Sequence, residues 1–155
     1  PIMIMEKWGG DLYHISVVYV ANTLTAFILM NVMASKIHLS NITKFKIGIG
    51  ATTFVFVGLA FVTDWWMAMP FMSLVGATWA FLFIGGNFHL MENNPRSTST
   101  GIFSSTLSIA TVIGPIVGGT IAFLFDYVAV LYFAVAIIVC AFVVSLKIEN
   151  KKILS

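Results

Sequence analysis

The sequence predicts an all-α integral membrane protein built from five transmembrane helices. Hydrophobic residues make up 59% of the 155 residues and charged residues only 9%, and the mean hydropathy is +1.00. Uncharged apolar runs of membrane-spanning length, about 20 residues each, also recur from one end of the chain to the other. A soluble domain carries roughly 25% charged residues, so this chain has too few to cover a water-facing surface. In hydrocarbon every crossing segment must satisfy its own backbone N–H and C=O groups, and a single run does so only as a helix. The alternation over about ten residues that marks a membrane β-barrel is missing.

The whole of 1–155 reads as a single membrane domain. A short apolar stretch, Pro1 to Met5, looks like the remnant of a preceding helix. The chain opens Pro1-Ile2-Met3 without the basic region or cleavage site of a signal peptide, so its start is expected to be cut rather than natural. The first span covers about residues 12–33. A lysine-rich loop from Ala34 to Lys46 separates it from the second, at about 47–63, which stops before Asp64. The third covers about 68–91, with Asp64 expected as its N-cap and Pro70 in its first turns. Asn93-Asn94-Pro95 then breaks the chain, and Ser97 or Ser99 is expected to cap the fourth span, about 102–124. The fifth, about 127–146, follows Asp126. Connections this short force neighbouring helices to run antiparallel.

With these spans every charged side chain falls at a helix end or in a loop, so no ion has to be buried in lipid. Alternating connections place Lys36, Lys44, Lys46, Arg96, Lys147, Lys151 and Lys152 on one side and only Lys7 on the other. Such a bias marks the cytoplasmic face, which predicts a multi-pass protein of the plasma membrane with a cytoplasmic C-terminus. The other face carries Glu6, Asp11, Asp64 and Asp126 beside Trp8, Tyr13, Trp65, Trp66 and Tyr127, aromatic rings suited to the headgroup zone.

Several function classes drop out. A net charge of +2, with the basic residues scattered between apolar runs, gives no footprint for nucleic acid. Cys140 has no second thiol, and no histidine or carboxylate lies near it in sequence, so it reads as a small buried hydrophobe rather than a metal ligand. No GxSxG, HExxH, CxxC or P-loop is present, so no enzyme, cofactor or metal site is expected. His14 and His89 lie near span ends, where an interfacial role suits them better than a proton relay, which would need a carboxylate partner at mid-depth. No carboxylate lies there, so any coupling to protons would have to use a group on another part of the protein.

Among the polar residues within the spans are Asn22, Thr25, Asn31, Asn87, Ser104, Ser105, Ser108 and Thr111. Each is costly in lipid unless it faces protein or water. At helical spacing Ser104, Ser108 and Thr111 share one face, Trp79, Phe83 and Asn87 share another, and Asn22 and Thr25 lie near the middle of their span. These eight are the candidates for a solute cavity. The alternative is interhelical hydrogen bonding, worth about 0.6 kcal/mol on average, or a bond back to the residue's own helix. An uncharged lining of this kind suits an amphiphilic or apolar small solute.

The run Asn94-Pro95-Arg96-Ser97-Thr98-Ser99-Thr100-Gly101-Ile102-Phe103-Ser104-Ser105, continuing to Ile113-Gly114-Pro115-Ile116-Val117-Gly118-Gly119, resembles the loop and eleventh helix of the major facilitator superfamily. Its Gly-Pro-x-x-Gly-Gly core is also the ending of the antiporter motif that the family carries on its fifth helix. The lysine-rich loop from Ala34 to Lys46 occupies the place of the family's Gly-x-x-x-Asp-Arg-x-Gly-Arg-Arg loop but lacks its Asp and glycines, and the third span has no embedded arginine. Both departures favour the C-terminal half, with residues 12–146 resembling helices eight to twelve and the opening stretch the outer end of helix seven.

The resemblance implies half of a transporter fold whose N-terminal half is its partner, with a small-molecule solute moved by alternating access between them, possible coupling to protons, and drug or small-molecule efflux as the first expectation. Uptake of a metabolite is the alternative among transporters, and a non-transporting helical scaffold or assembly partner the alternative from another class. On this reading Gly114, Pro115, Gly118 and Gly119 form a closely packed, bendable gating element, since small residues four apart admit a neighbouring backbone and proline removes a helical donor. Helix packing alone is the competing account. Arg96, with Lys36, Lys44 and Lys46, belongs to the cytoplasmic loops, where an arginine can bond helix-end carbonyls.

Overall fold

A computed structural model describes residues 2–92 and 94–148. Pro1, Asn93 and the tail holding Lys151, Lys152 and Ser155 lie outside the described residues. The described residues form six helices and no strand: α1 (Ile2–Glu6), α2 (Leu12–Ser35), α3 (Asn41–Ala60), α4 (Trp65–Glu92), α5 (Arg96–Leu124) and α6 (Tyr127–Leu146). Helices α2 to α6 are each long and apolar enough to cross a membrane. At about 1.5 Å per residue they are roughly 30 to 43 Å long, enough to cross a hydrocarbon core about 30 Å thick.

Several helices run past the apolar runs that reveal them. The third helix starts at Asn41 instead of residue 47, so Lys44 and Lys46 stand in its first two turns rather than in a loop. Ser40 caps it, its hydroxyl accepting from Thr43 N–H at 3.3 Å. Likewise α5 starts at Arg96 rather than residue 102. Pro95 occupies its N-cap position without a side-chain hydrogen bond, so neither Ser97 nor Ser99 caps it. Ser99 is instead buried and donates to the Leu90 carbonyl at 3.0 Å, fastening α5 to the end of α4. Asp64 precedes α4, but its carboxylate accepts from the Thr63 hydroxyl at 2.8 Å rather than from the helix. Asp126 does cap α6, accepting from Ala129 N–H at 2.6 Å.

Helix α4 is the centre of the fold, packed between α2 and α3 and touching α5; α3 also packs on α6, and α6 on α5. Glycines set the closest of these approaches. On α3, a Cβ at Gly48 would stand 2.8 Å from the Leu82 nitrogen, and on α4 one at Gly85 would stand 2.8 Å from the Asn41 carbonyl. Gly76 admits α2 in the same way, its missing Cβ lying 2.8 Å from Asn22 Oδ1. Close backbone approach maximises dispersion contact where lipid supplies no hydrophobic drive.

One end of the bundle is closed by a core of Ile4, Trp8, Val18, Val55, Leu59, Val62, Ala68 and Leu131. Gly9, at φ 66°, turns the chain back between α1 and α2. Trp65 N–H donates to the Trp8 carbonyl at 3.0 Å, tying that turn to the start of α4. At the other end Lys44 is buried, and its ammonium donates to the Met33 carbonyl at 3.4 Å, near the C-terminus of α2. By contrast α5 is almost entirely exposed in this chain, with Ser99 its one buried residue. Cys140, expected to be buried, is exposed on α6, where the helix turns it away from the bundle.

Candidate functional site

Midway along their lengths α2 and α4 approach closely at Gly76. They leave a cavity of about 540 Å³ lined by Asn22, Thr23, Ala26, Phe27, Met30, Val75 and Trp79. The α2 residues recur at three and four positions, one helical face. No charged group lines the cavity. Its polar atoms come from Asn22 and Thr23, while Phe27, Met30, Val75 and Trp79 offer apolar and aromatic surface. Such a lining holds an uncharged or amphiphilic small molecule by contact area and orients it with one or two hydrogen bonds.

The eight expected cavity residues separate in the structure. Asn22 and Trp79, from different helices, meet at the cavity. Thr25 faces away and bonds its own helix, donating to the Ala21 carbonyl at 2.8 Å. Phe83 lies 6.3 Å from Trp79, centroid to centroid, and packs edge-on against Phe103 of α5 at 5.3 Å. Asn87 sits a turn further along, its Oδ1 buried without a hydrogen-bond partner. Ser104, Ser108 and Thr111 are exposed on α5. Ser108 donates to the Ser104 carbonyl at 2.9 Å and Thr111 to the Ser108 carbonyl at 2.8 Å, so these hydroxyls are satisfied within their helix.

The expected gating residues occupy an open surface. Nothing lies within 4 Å of the Cβ positions of Gly114 and Gly119, and at Gly118 the nearest atom is a Val130 methyl at 3.6 Å. The close approach expected at this motif is therefore not made by any described helix. Two apolar grooves, of about 380 and 400 Å³, flank it between α5 and α6, and Pro115 lines the second. Helix α5 continues through Pro115 without a break in helical structure.

Of the basic residues, Lys36 and Arg96 are exposed, and Arg96 shares a cavity of about 430 Å³ with Phe88, Met91 and Glu92. Lys46 donates to the Ile148 carbonyl at 2.8 Å, bracing the end of α6. Both helix-end histidines prove to have carboxylate partners that the sequence reading missed: His14 Nδ1 lies 2.9 Å from Asp11, and His89 Nδ1 lies 2.9 Å from Glu92. Glu92 also accepts from Asn41 at 2.8 Å. Three-residue spacing along a helix was the signal for each pair. The His14 backbone N–H donating to its carboxylate holds Asp11 below the usual carboxylate range.

The chain matches no protein-family model, no curated protein and no solved structure in comparisons with each. The fold established here is thus an all-helical bundle with five helices able to cross a membrane, and its activity is argued from the site alone.

Proposed function

We propose that this chain is the C-terminal half, helices eight to twelve, of a secondary transporter of the major facilitator type, exporting a small amphiphilic or drug-like solute. The observation that carries this reading is the cavity shared by Asn22 and Trp79. It is a mid-membrane recess with two polar side chains, aromatic and thioether walls and no charge. A mid-membrane site between two rocking halves is how such transporters alternate access. The exposed faces of α5 and α6 suit the same reading, since an N-terminal half would cover them. The basic bias puts Lys36, Lys44, Lys46 and Arg96 on the cytoplasmic side. No proton-coupling acid lies at mid-depth in α2 to α6, so on this reading a proton, if used, is carried by the other half.

A non-transporting scaffold is the second reading, favoured by the open surface around Gly114 and Gly118, which would also suit an assembly partner. Flux measurements on the full-length protein in proteoliposomes separate the two. On the transport reading Asn22→Ala and Trp79→Ala lower uptake of a fluorescent lipophilic solute at least about tenfold, equivalent to about 1.4 kcal/mol. Ser108→Ala changes it little, because its hydroxyl is satisfied within α5. Unchanged flux in both cavity variants rules out this site, and no flux in the unaltered protein supports the scaffold.

A further inference from the structure

We propose that His14 is a proton-controlled clasp between the starts of α2 and α4. Its imidazole lies against the indole of Trp65, the first residue of α4, with ring centroids 3.9 Å apart and planes inclined by 33°. Its Nδ1 stands within reach of two groups of the α2 N-cap: the Asp11 backbone N–H at 3.2 Å and the Asp11 carboxylate at 2.9 Å. One nitrogen cannot serve both in the same state. When neutral at Nδ1 it accepts from the Asp11 N–H and completes the capping box of α2. When protonated it donates to the Asp11 carboxylate instead, and the ring becomes a cation on the face of a tryptophan. Proton uptake therefore exchanges one contact within the α2 cap, to the Asp11 N–H, for another, to its carboxylate, and adds attraction between α2 and α4.

Histidine is the side chain whose ordinary change of charge falls between about pH 5 and 8. The other groups around it do not compete for the role. On its own helix Asp11 is its partner, and Tyr13 touches the ring edge-on at 5.8 Å. On the α4 side Asp64, next to Trp65, is engaged by the Thr63 hydroxyl. The α1 turn packs against it through Gly10, whose missing Cβ would stand 3.3 Å from the His14 Cβ, while Glu6 and Lys7 of that segment are exposed. His89, the other paired histidine, bonds Glu92 within its own helix, which makes it the control.

Two measurements on the purified chain in lipid nanodiscs test the clasp without requiring any transport. Protonated imidazole quenches indole, so tryptophan emission should fall as the pH is lowered from about 8 to about 5. His14→Gln and Trp65→Leu should each abolish that fall, and His89→Gln should preserve it. Amide exchange over the first turns of α2 and α4, compared between the unaltered chain and His14→Gln at the same pH, should be several-fold slower in the unaltered chain at the acid end. The two should be equal at the alkaline end. His14→Arg, charged at every pH, should keep the protection throughout. A pH-dependent emission that survives His14→Gln overturns the proposal, as does equal exchange at both pH values or protection greater at alkaline pH. Slower access to the Asn22–Trp79 cavity in acid is a further consequence that rests on the transport reading; its failure alone would count against that reading and leave the clasp standing.

Discussion

Asn22 Oδ1 lies 2.8 Å from the point where a Cβ on Gly76 would stand. The hydrogen of glycine is thus what lets α2 and α4 cross near their midpoints with an asparagine at the contact. The cavity opens immediately beside that crossing, since Asn22 belongs to both. The same residue therefore sets the packing of two helices and supplies the polar edge of the candidate site.

Gly76→Ala should accordingly separate the two helices, because the obstructing atoms are Asn22 backbone as well as its side chain. Overpacking of this kind costs about 1–3 kcal/mol. Gly101, helical with nothing within 4 Å, is the control: alanine there should be neutral or stabilise by up to about 1 kcal/mol through helix propensity. Reversible unfolding in detergent by graded denaturant reads both. Equal stability in the two variants would mean that the crossing at Gly76 is looser than described.

The contrast between these glycines shows what a sequence can disclose. The motif at Gly114, Gly118 and Gly119 drew attention because small residues four apart permit a close approach, but permission does not supply a partner, and no described helix comes near. Gly48, Gly76 and Gly85 make the real approaches without forming a motif. The five spans were legible because hydrocarbon selects apolar length. Their ends were not, since hydropathy reports the edge of the lipid while the helix continues through polar turns such as Asn41 to Lys46. Asn22 and Trp79 stood out as rare groups on an apolar background. Phe27, Met30 and Val75 did not, because a helix apolar on every side has no periodicity to betray which face is special.

Lys44 is buried with its ammonium on the Met33 carbonyl, so it should contribute through both charge and stem. A cation at a helix C-terminus also meets the negative end of the helix dipole. Lys44→Met keeps the apolar stem and should cost about 1–3 kcal/mol for the lost charged hydrogen bond. Lys44→Ala should cost more, because it also empties the space that the stem fills. Denaturant titration of the two variants against the unaltered chain checks the order; alanine no worse than methionine would place the side chain in solvent.

Ser99 joins α5 to α4 by a buried hydroxyl on the Leu90 carbonyl. Ser99→Ala should destabilise by about 1 kcal/mol, whereas Ser97→Ala, at an exposed site, should remain within about 0.5 kcal/mol of the unaltered chain. Thermal unfolding of both variants in one detergent is the measurement, and an equal shift for the two would remove the fastening role from Ser99.

Asp11 gives a pH dependence of definite sign. The His14 backbone N–H donating to its carboxylate holds its pKa below the usual value in the folded chain. A carboxylate depressed on folding adds stability that is fully present above its unfolded pKa and disappears as the pH falls through the folded one. Asp11→Asn keeps an N-cap acceptor but carries no charge. The unaltered chain should therefore unfold at a higher temperature than Asp11→Asn near neutral pH, and the gap should close on acidification through the carboxylate range. A gap that stays constant down to the acid end would show that the charge of Asp11 contributes nothing, and that α2 is capped by hydrogen-bond geometry alone.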